Sequence, residues 1–156
     1  MKRIVFPMLL ILMTLSGCSQ KELAPITDIQ EITDKTEAVL GFETKGMYNV
    51  PEDYMLELLD VKGELFTDFV MKIPTGTNQN EYGVFIAAIG HEKEAEDAVQ
   101  AYLQSRKEEW DRQYLAEEGF KIDEGQCKRE GRYIYFAIGS KDFDELNKLF
   151  KRLAWK

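Results

Sequence analysis

The stretch Glu81-Tyr82-Gly83-Val84-Phe85-Ile86-Ala87-Ala88-Ile89 decides the fold. In an extended chain, successive side chains point to opposite faces. Apolar residues occupy both faces here: Val84, Phe85, Ile86 and Ile89. Continuous apolar character of this kind is typical of a central strand that is covered on both sides. We therefore predict a buried β-strand over residues 81–89, with helices packed against it.

Turn-forming residues divide the chain around this strand into two hairpins. Residues 74–80 contain Pro, Gly, Thr and Asn, so residues 69–73 and 81–89 are predicted to pair antiparallel across a loop at Gly76. Residues 120–128 and 132–138 flank Glu130-Gly131 and predict a second hairpin. In its last strand, one face carries Ile134, Phe136 and Ile138, and the other carries Tyr133 and Tyr135.

Helical periodicity predicts the remaining elements. Apolar residues recur at helical spacing in four segments: 27–40, 51–60, 92–118 and a C-terminal helix that begins at Asp142. Gly41 and Gly119 are expected to end the first and third of these, and residues 42–50 form a connector. The fold class is therefore α+β. We expect a small, mostly antiparallel sheet of about four strands, packed with a long central helix, N-terminal helices and a C-terminal helix.

The N-terminus has the organisation of an export signal. Lys2 and Arg3 precede an apolar run, residues 4–15, that is shorter than the roughly 20 residues needed to span a bilayer. The run ends in Leu15-Ser16-Gly17-Cys18, which resembles the lipobox of bacterial lipoproteins. That resemblance implies cleavage before Cys18 and a diacylglycerol on its thiol. The predicted organisation is a signal peptide at 1–17, a lipidated cysteine and tether at 18–26, and one α+β domain at 27–156.

Charge restricts the partners of the mature chain. Loss of residues 1–17 leaves 18 basic against 28 acidic side chains, a formal net charge of −10. Phosphate backbones repel such a domain, so we expect no nucleic acid partner. Anionic headgroups repel it as well, and the domain is expected to stand off an extracytoplasmic membrane surface on its lipid.

The chemistry-bearing residues form no catalytic or metal-binding set. With Cys18 lipidated, Cys127 has no disulfide partner and is expected to be a small buried apolar residue. His91 is the only histidine, and we expect it to start a helix as a neutral or solvated cap. One histidine and one thiol cannot supply the usual zinc ligands. No metal or cofactor is expected.

Arg106 is a charged residue at a helical position where apolar residues are expected. It lies on an apolar helical stripe between Tyr102 and Trp110, so it is paired, stacked on a ring or placed at the edge of a cleft. The functional hypothesis is an arginine that binds a carboxylate or a protein partner. Tyr133 and Tyr135 pose a similar choice between core residues and an exposed aromatic binding surface.

Several motifs resemble the bacterial lipoproteins of Domain of Unknown Function 4358. They are the helix after Pro51 with Thr75-Gly76-Thr77 and Glu81-Tyr82-Gly83-Val84-Phe85, the helix with Arg106 and Tyr114, and Gly131-Arg132-Tyr133-Ile134. The likeness covers about residues 27–139. It implies an envelope-anchored α+β domain and carries over no activity.

Three functions are compatible with these observations. The leading hypothesis is a non-enzymatic, membrane-anchored lipoprotein that acts as a binding module for an envelope protein. The alternative is a lipoprotein that binds a small ligand in a pocket near Arg106. A third hypothesis, an envelope hydrolase, would have to use the abundant carboxylates.

Overall fold

The computed structural model describes residues 22–110 and 115–156. The lipobox residues 15–18 and Tyr114 lie outside the described residues. Five helices are present in the described ranges: α1 (Ile29–Leu40), α2 (Glu52–Leu58), α3 (Glu92–Glu109), α4 (Ala116–Asp123) and α5 (Phe143–Ala154). The strands there are β1 (Tyr48–Asn49), β2 (Phe66–Ile73), β3 (Glu81–Ala87), β4 (Gln126–Glu130) and β5 (Tyr133–Ile138).

The five strands form one antiparallel sheet in the order β1-β2-β3-β5-β4. Both predicted hairpins are confirmed, and β3 is the central strand, with Phe85 opposite Phe69 on one side and Ile134 on the other. The fifth strand, β1, pairs with the end of β2 inside the predicted connector. Two residues are too few to produce a periodic pattern, which is why the sequence predicted about four strands.

Helices cover both faces of this sheet and create two apolar cores. One core, beneath α2, α3 and α4, receives Ile134, Phe136 and Ile138 from β5. The opposite core, beneath α1 and α5, receives Tyr133 and Tyr135. Every residue of β3 is buried, as expected for a strand covered on both sides. The prediction that Tyr133 and Tyr135 lie on the opposite face of β5 from Ile134, Phe136 and Ile138 is confirmed.

Helix termini follow the local sequence signals. The Asp142 carboxylate accepts hydrogen bonds from the backbone N–H groups of Asp144 and Glu145, at 3.1 and 3.2 Å, and so caps α5 where the sequence predicted its start. Asp28 caps α1 in the same way. Gly41 follows α1 with a φ of 75°, the left-handed conformation that glycine adopts readily.

The single long helix predicted over 92–118 is wrong. Helix α3 ends at Glu109, and a separate helix, α4, occupies Ala116–Asp123, where the sequence predicted a helix end at Gly119 and then a strand. Leu115 precedes α4 with a φ of 51°, so the backbone changes direction there. Gly119 allows α4 to approach Trp110, since an added Cβ would lie 3.0 Å from the indole Nε1. Gly119 therefore serves helix packing and does not end a helix.

The predicted extension of β3 to Ile89 is also wrong. The strand ends at Ala87, and residues 88–91 form a turn in which His91 N–H donates to the Ala88 carbonyl at 3.0 Å. Gly90 has a φ of 86°, which fits the third position of a type II turn. Ile89 is 80% exposed in this turn and contributes nothing to either core.

The N-terminal segment is docked on the domain from its first described residues. Leu23 bridges to Trp155, Ala24 N–H donates to the Ala154 carbonyl at 2.9 Å, and Lys156 N–H donates to the Glu22 carbonyl at 3.0 Å. The later part of the predicted tether, residues 22–26, thus lies along the end of α5. None of the described helices has the length and apolar character needed to cross a membrane.

Candidate functional site

A buried ionic cluster lies where β3 begins. The Glu81 side chain is only 1% exposed and sits beneath α3. Tyr102 and Arg106 are one helical turn apart, so both reach the same carboxylate. The Tyr102 hydroxyl donates to Glu81 Oε1, and Arg106 Nε donates to Oε2 at 3.2 Å. The arginine on the apolar stripe is therefore held by a buried acid.

Burial sets the protonation behaviour of this cluster. It raises the pKa of Glu81 above its ordinary value, and the Arg106 charge and the Tyr102 hydrogen bond offset only part of that rise. Burial, followed by the nearby Glu81 charge, also raises the pKa of the Tyr102 phenol. Tyr102 therefore stays protonated at neutral pH and keeps its role as a donor.

Hydrogen bonds extend the cluster to the loop before β3 and on to α4. Arg106 donates through Nη2 to Gln79 Oε1 at 3.0 Å. The Gln79 backbone N–H donates to Glu118 Oε2 at 2.8 Å, and Lys121 pairs with Glu118 at the same distance. The loop at 74–80, α3 and α4 are thereby joined through polar contacts.

An open groove of about 610 Å³ lies beside this cluster, between α2, the loop at 74–80 and α3. Its lining includes the ring of Tyr54, the loop residue Gly76 and the Arg106 side chain. The exposed carboxylates of Glu57 and Glu109 also line it, and neither forms an ion pair with another described residue. Because Glu81 already matches the charge of Arg106, the described residues that line the groove carry an excess of negative charge.

This charge balance bears on what the groove can bind. A ligand carboxylate would meet a guanidinium whose charge Glu81 already matches, and would approach the carboxylates of Glu57 and Glu109. A cationic group meets those same carboxylates favourably. The geometry therefore suits a positively charged ligand better than the carboxylate considered from the sequence.

The other candidate binding residues lie elsewhere in the fold. Trp110 is half-buried beyond the end of α3, beside Gly119. Tyr135 stacks on Phe150 with ring centroids 4.1 Å apart, and its hydroxyl donates to Asn147 Oδ1 at 2.8 Å. Of the five residues singled out from the sequence, only Arg106 and Tyr102 line the groove.

Tyr133 has a structural contact with the N-terminal segment. Its ring lies in the core beneath α5, and its hydroxyl accepts a hydrogen bond from Thr27 N–H at 2.9 Å. Tyr133 thus helps to hold the segment that leads back to Cys18. Tyr133 and Tyr135 are both buried, so neither ring forms an exposed aromatic surface.

A second polar cluster surrounds Glu37 of α1, and no sequence pattern predicted it. Its carboxylate accepts from Lys72 Nζ at 2.6 Å, the Tyr82 hydroxyl at 2.5 Å and the Thr44 hydroxyl at 2.9 Å. Burial acts to raise the pKa of Glu37, but these donors outweigh it and the pKa is lowered. With all three donors engaged, the cluster joins α1 to the sheet.

The remaining reactive side chains form no site together. Burial, and after it the charge of Glu96, raises the pKa of the Cys127 thiol to about 12, so the thiolate is scarce at neutral pH. His91 precedes α3 as predicted, and its Nδ1 lies 3.3 Å from Glu94 Oε2. Among the described residues, no group of three His, Cys, Asp or Glu side chains is placed to hold a metal ion.

These features define an α+β domain with helices on both faces of an antiparallel sheet and an acidic groove over a buried ion pair. Residues 42–139, well over half of the chain, match the family described as a domain of unknown function (DUF4358), and the chain belongs to this family. No curated protein matches the chain, and no solved structure matches it.

Proposed function

We propose that this chain is a bacterial lipoprotein held at the outer face of the cytoplasmic membrane by acyl groups on Cys18. The basic tip, the short apolar run and Leu15-Ser16-Gly17-Cys18 support this anchoring. Two or more acyl chains give stable attachment, because each buried CH₂ contributes about 0.8 kcal/mol. The domain beyond the anchor then acts in the envelope.

Cys18→Ala tests the anchor. Without the thiol no diacylglycerol can be attached, so we expect the variant to leave the membrane fraction or to accumulate as uncleaved precursor. Fractionation and the mass of the N-terminal peptide measure both results. Cys127→Ala is the matched control and should stay in the membrane fraction at the mature mass. A Cys18→Ala protein that is cleaved and membrane-bound like the parent would contradict the lipid anchor.

We further propose that the domain is a non-enzymatic binding module whose acidic groove takes a basic segment of an envelope protein. The observation that carries this proposal is that the exposed carboxylates of Glu57 and Glu109, neither ion-paired with another described residue, line the groove together with Arg106, whose charge Glu81 already matches. Pockets for small ligands are mostly apolar and enclose their ligands. This groove is open and largely polar, which favours a protein segment over a small molecule.

Site-specific crosslinking tests the groove. Gly76 lines it, and an added Cβ there meets no atom within 4 Å, so a photoreactive residue can be placed at position 76 without changing either carboxylate. We expect an adduct with an envelope protein in intact cells. The adduct should be lost when Glu57 and Glu109 are both changed to Lys, because the added charges repel a basic segment.

The controls use Asp144, an exposed acidic residue on α5 at the other face of the sheet. The photoreactive residue at position 144 should give no such adduct, and Asp144→Lys should leave the position 76 adduct unchanged. An adduct that survives the two groove substitutions would contradict a basic partner. Absence of any protein adduct, together with a rise in melting temperature with a purified metabolite, would favour the small-ligand alternative.

A further inference from the structure

Three exposed apolar side chains cluster around a hollow at the end of β3 opposite the acidic groove. Leu23 is 49% exposed, Ile26 is 40% exposed and Ile89 is 80% exposed. All three line one hollow of about 350 Å³, together with Pro25 and Ala154. We call this surface the Ile89 face. Exposed apolar side chains that are clustered in this way mark an interaction surface.

The Ile89 face is held in place by backbone hydrogen bonds. The turn at residues 88–91 is closed by the His91 N–H bond, and Ala88 N–H donates to the Leu65 carbonyl at 2.8 Å. Leu23 and Ile26 belong to the N-terminal segment, which the end of α5 and the Tyr133 hydroxyl fix to the domain. The apolar side chains therefore project from a prearranged surface.

The chain reaches the proposed anchor from this same surface. Leu23 lies five residues after Cys18, so Cys18 is within about 17 Å of it even in a fully extended chain. A lipid on Cys18 would keep the Ile89 face close to the bilayer. Among the described residues, the charged side chains that line the hollow are Glu92 and Arg132, which are opposite in sign, so the overall acidity of the domain is not concentrated there.

We infer that the Ile89 face rests on the membrane, with its three apolar side chains at the boundary between headgroups and acyl chains. The inference depends on the proposed lipidation of Cys18 and replaces the expectation that the domain stands off the bilayer. It also orients the molecule. Strand β3 runs about 20 Å from Glu81, beside the acidic groove, to Ala87, which precedes the turn that carries Ile89. The Glu81 end of β3, with the part of the groove beside it, is then the end farther from the membrane, where a partner can reach it.

A polarity-sensitive fluorophore at position 89 tests this inference. The lipidated Ile89→Cys protein is labelled and reconstituted in phosphatidylcholine vesicles that contain a nitroxide-labelled lipid. The parent protein measures background labelling, which should be low because Cys127 is half-buried and the pKa of its thiol is raised. Phe120→Cys is the matched control, because Phe120 is a large apolar residue that is 67% exposed on α4, away from this surface.

We expect a blue shift and nitroxide quenching of the fluorophore at position 89, and neither at position 120. A protein that floats with the vesicles, while the fluorophore at position 89 keeps the emission it has in water, would overturn the membrane contact. It would not contradict the lipid anchor. A blue shift without quenching would mean that a second copy of the protein covers the face, and would also overturn it. A protein that fails to float with the vesicles would instead contradict the anchor itself.

Discussion

Arg106→Met is expected to destabilise the domain by about 3 kcal/mol at neutral pH. The substitution keeps much of the apolar stem and removes the charge that faces Glu81. Glu81 is almost completely buried, so water cannot replace the lost partner. Removing one member of a buried ion pair leaves an uncompensated charge, which costs more than the pair itself contributes. Urea denaturation of parent and variant measures the difference in the free energy of unfolding.

The stability lost in Arg106→Met should depend on pH, and the loss should be larger at neutral pH than in acid. Burial already raises the pKa of Glu81 in the folded protein, and loss of the guanidinium raises that pKa further. The folded variant therefore binds a proton more tightly than the unfolded chain does. Its stability falls as pH rises from the ordinary pKa of a glutamate to the raised folded pKa, and recovers as pH is lowered. We expect the difference between parent and variant to shrink in mildly acidic solution.

Two further variants separate the buried pair from a general effect of removing an arginine. Glu81→Gln combined with Arg106→Met removes both charges and should recover much of the loss. Arg129→Met removes a more exposed pair, since Arg129 Nε lies 3.0 Å from Glu96 Oε2, with the two side chains 34% and 18% exposed. It should cost under about 1 kcal/mol. An Arg106→Met effect as small as that of Arg129→Met would show that the Glu81 pair does not support the fold.

Gly83→Ala is expected to cost about 2 to 3 kcal/mol through overpacking at the centre of the sheet. An added Cβ would lie 2.5 Å from Phe136 Cε1 and 2.7 Å from Phe85 Cε2. Both rings are fully buried and part of one core, so neither can move without disturbing its neighbours. Thermal or urea denaturation measures the loss.

Gly76→Ala is the matched control for that substitution. Gly76 has no atom within 4 Å of an added Cβ, so the same chemical change should alter stability by less than about 0.5 kcal/mol. Equal unfolding midpoints for the two variants would show that the core rearranges to accommodate a Cβ at position 83 without loss of stability. The close approach of Phe85 and Phe136 also gives a physical reason for glycine in the Glu81-Tyr82-Gly83-Val84-Phe85 motif.

Local signals were sufficient for much of the fold. The apolar run of β3, the turn residues of both hairpins and the Asp142 cap act over a few neighbouring residues, and the structure contains all of them. The separation of α3 from α4 was not predictable in this way. The sequence predicted one helix that ends at Gly119, and what distinguishes that glycine is its close approach to Trp110. Such a contact forms only when the two helices pack together.

The candidate site was likewise predictable only in part from the sequence. The sequence by itself determined that Arg106 needed a partner or a solvent path, since a charge on an apolar stripe is costly to bury. The proposal that Cys18 carries a lipid also rests on the sequence alone. Only the tertiary structure decided that the partner is Glu81, because sheet register and the docking of α3 place that carboxylate beneath Tyr102. It likewise decided that Ile89 is exposed beside Leu23, since burial depends on which surfaces meet, and residues distant in the chain create those surfaces.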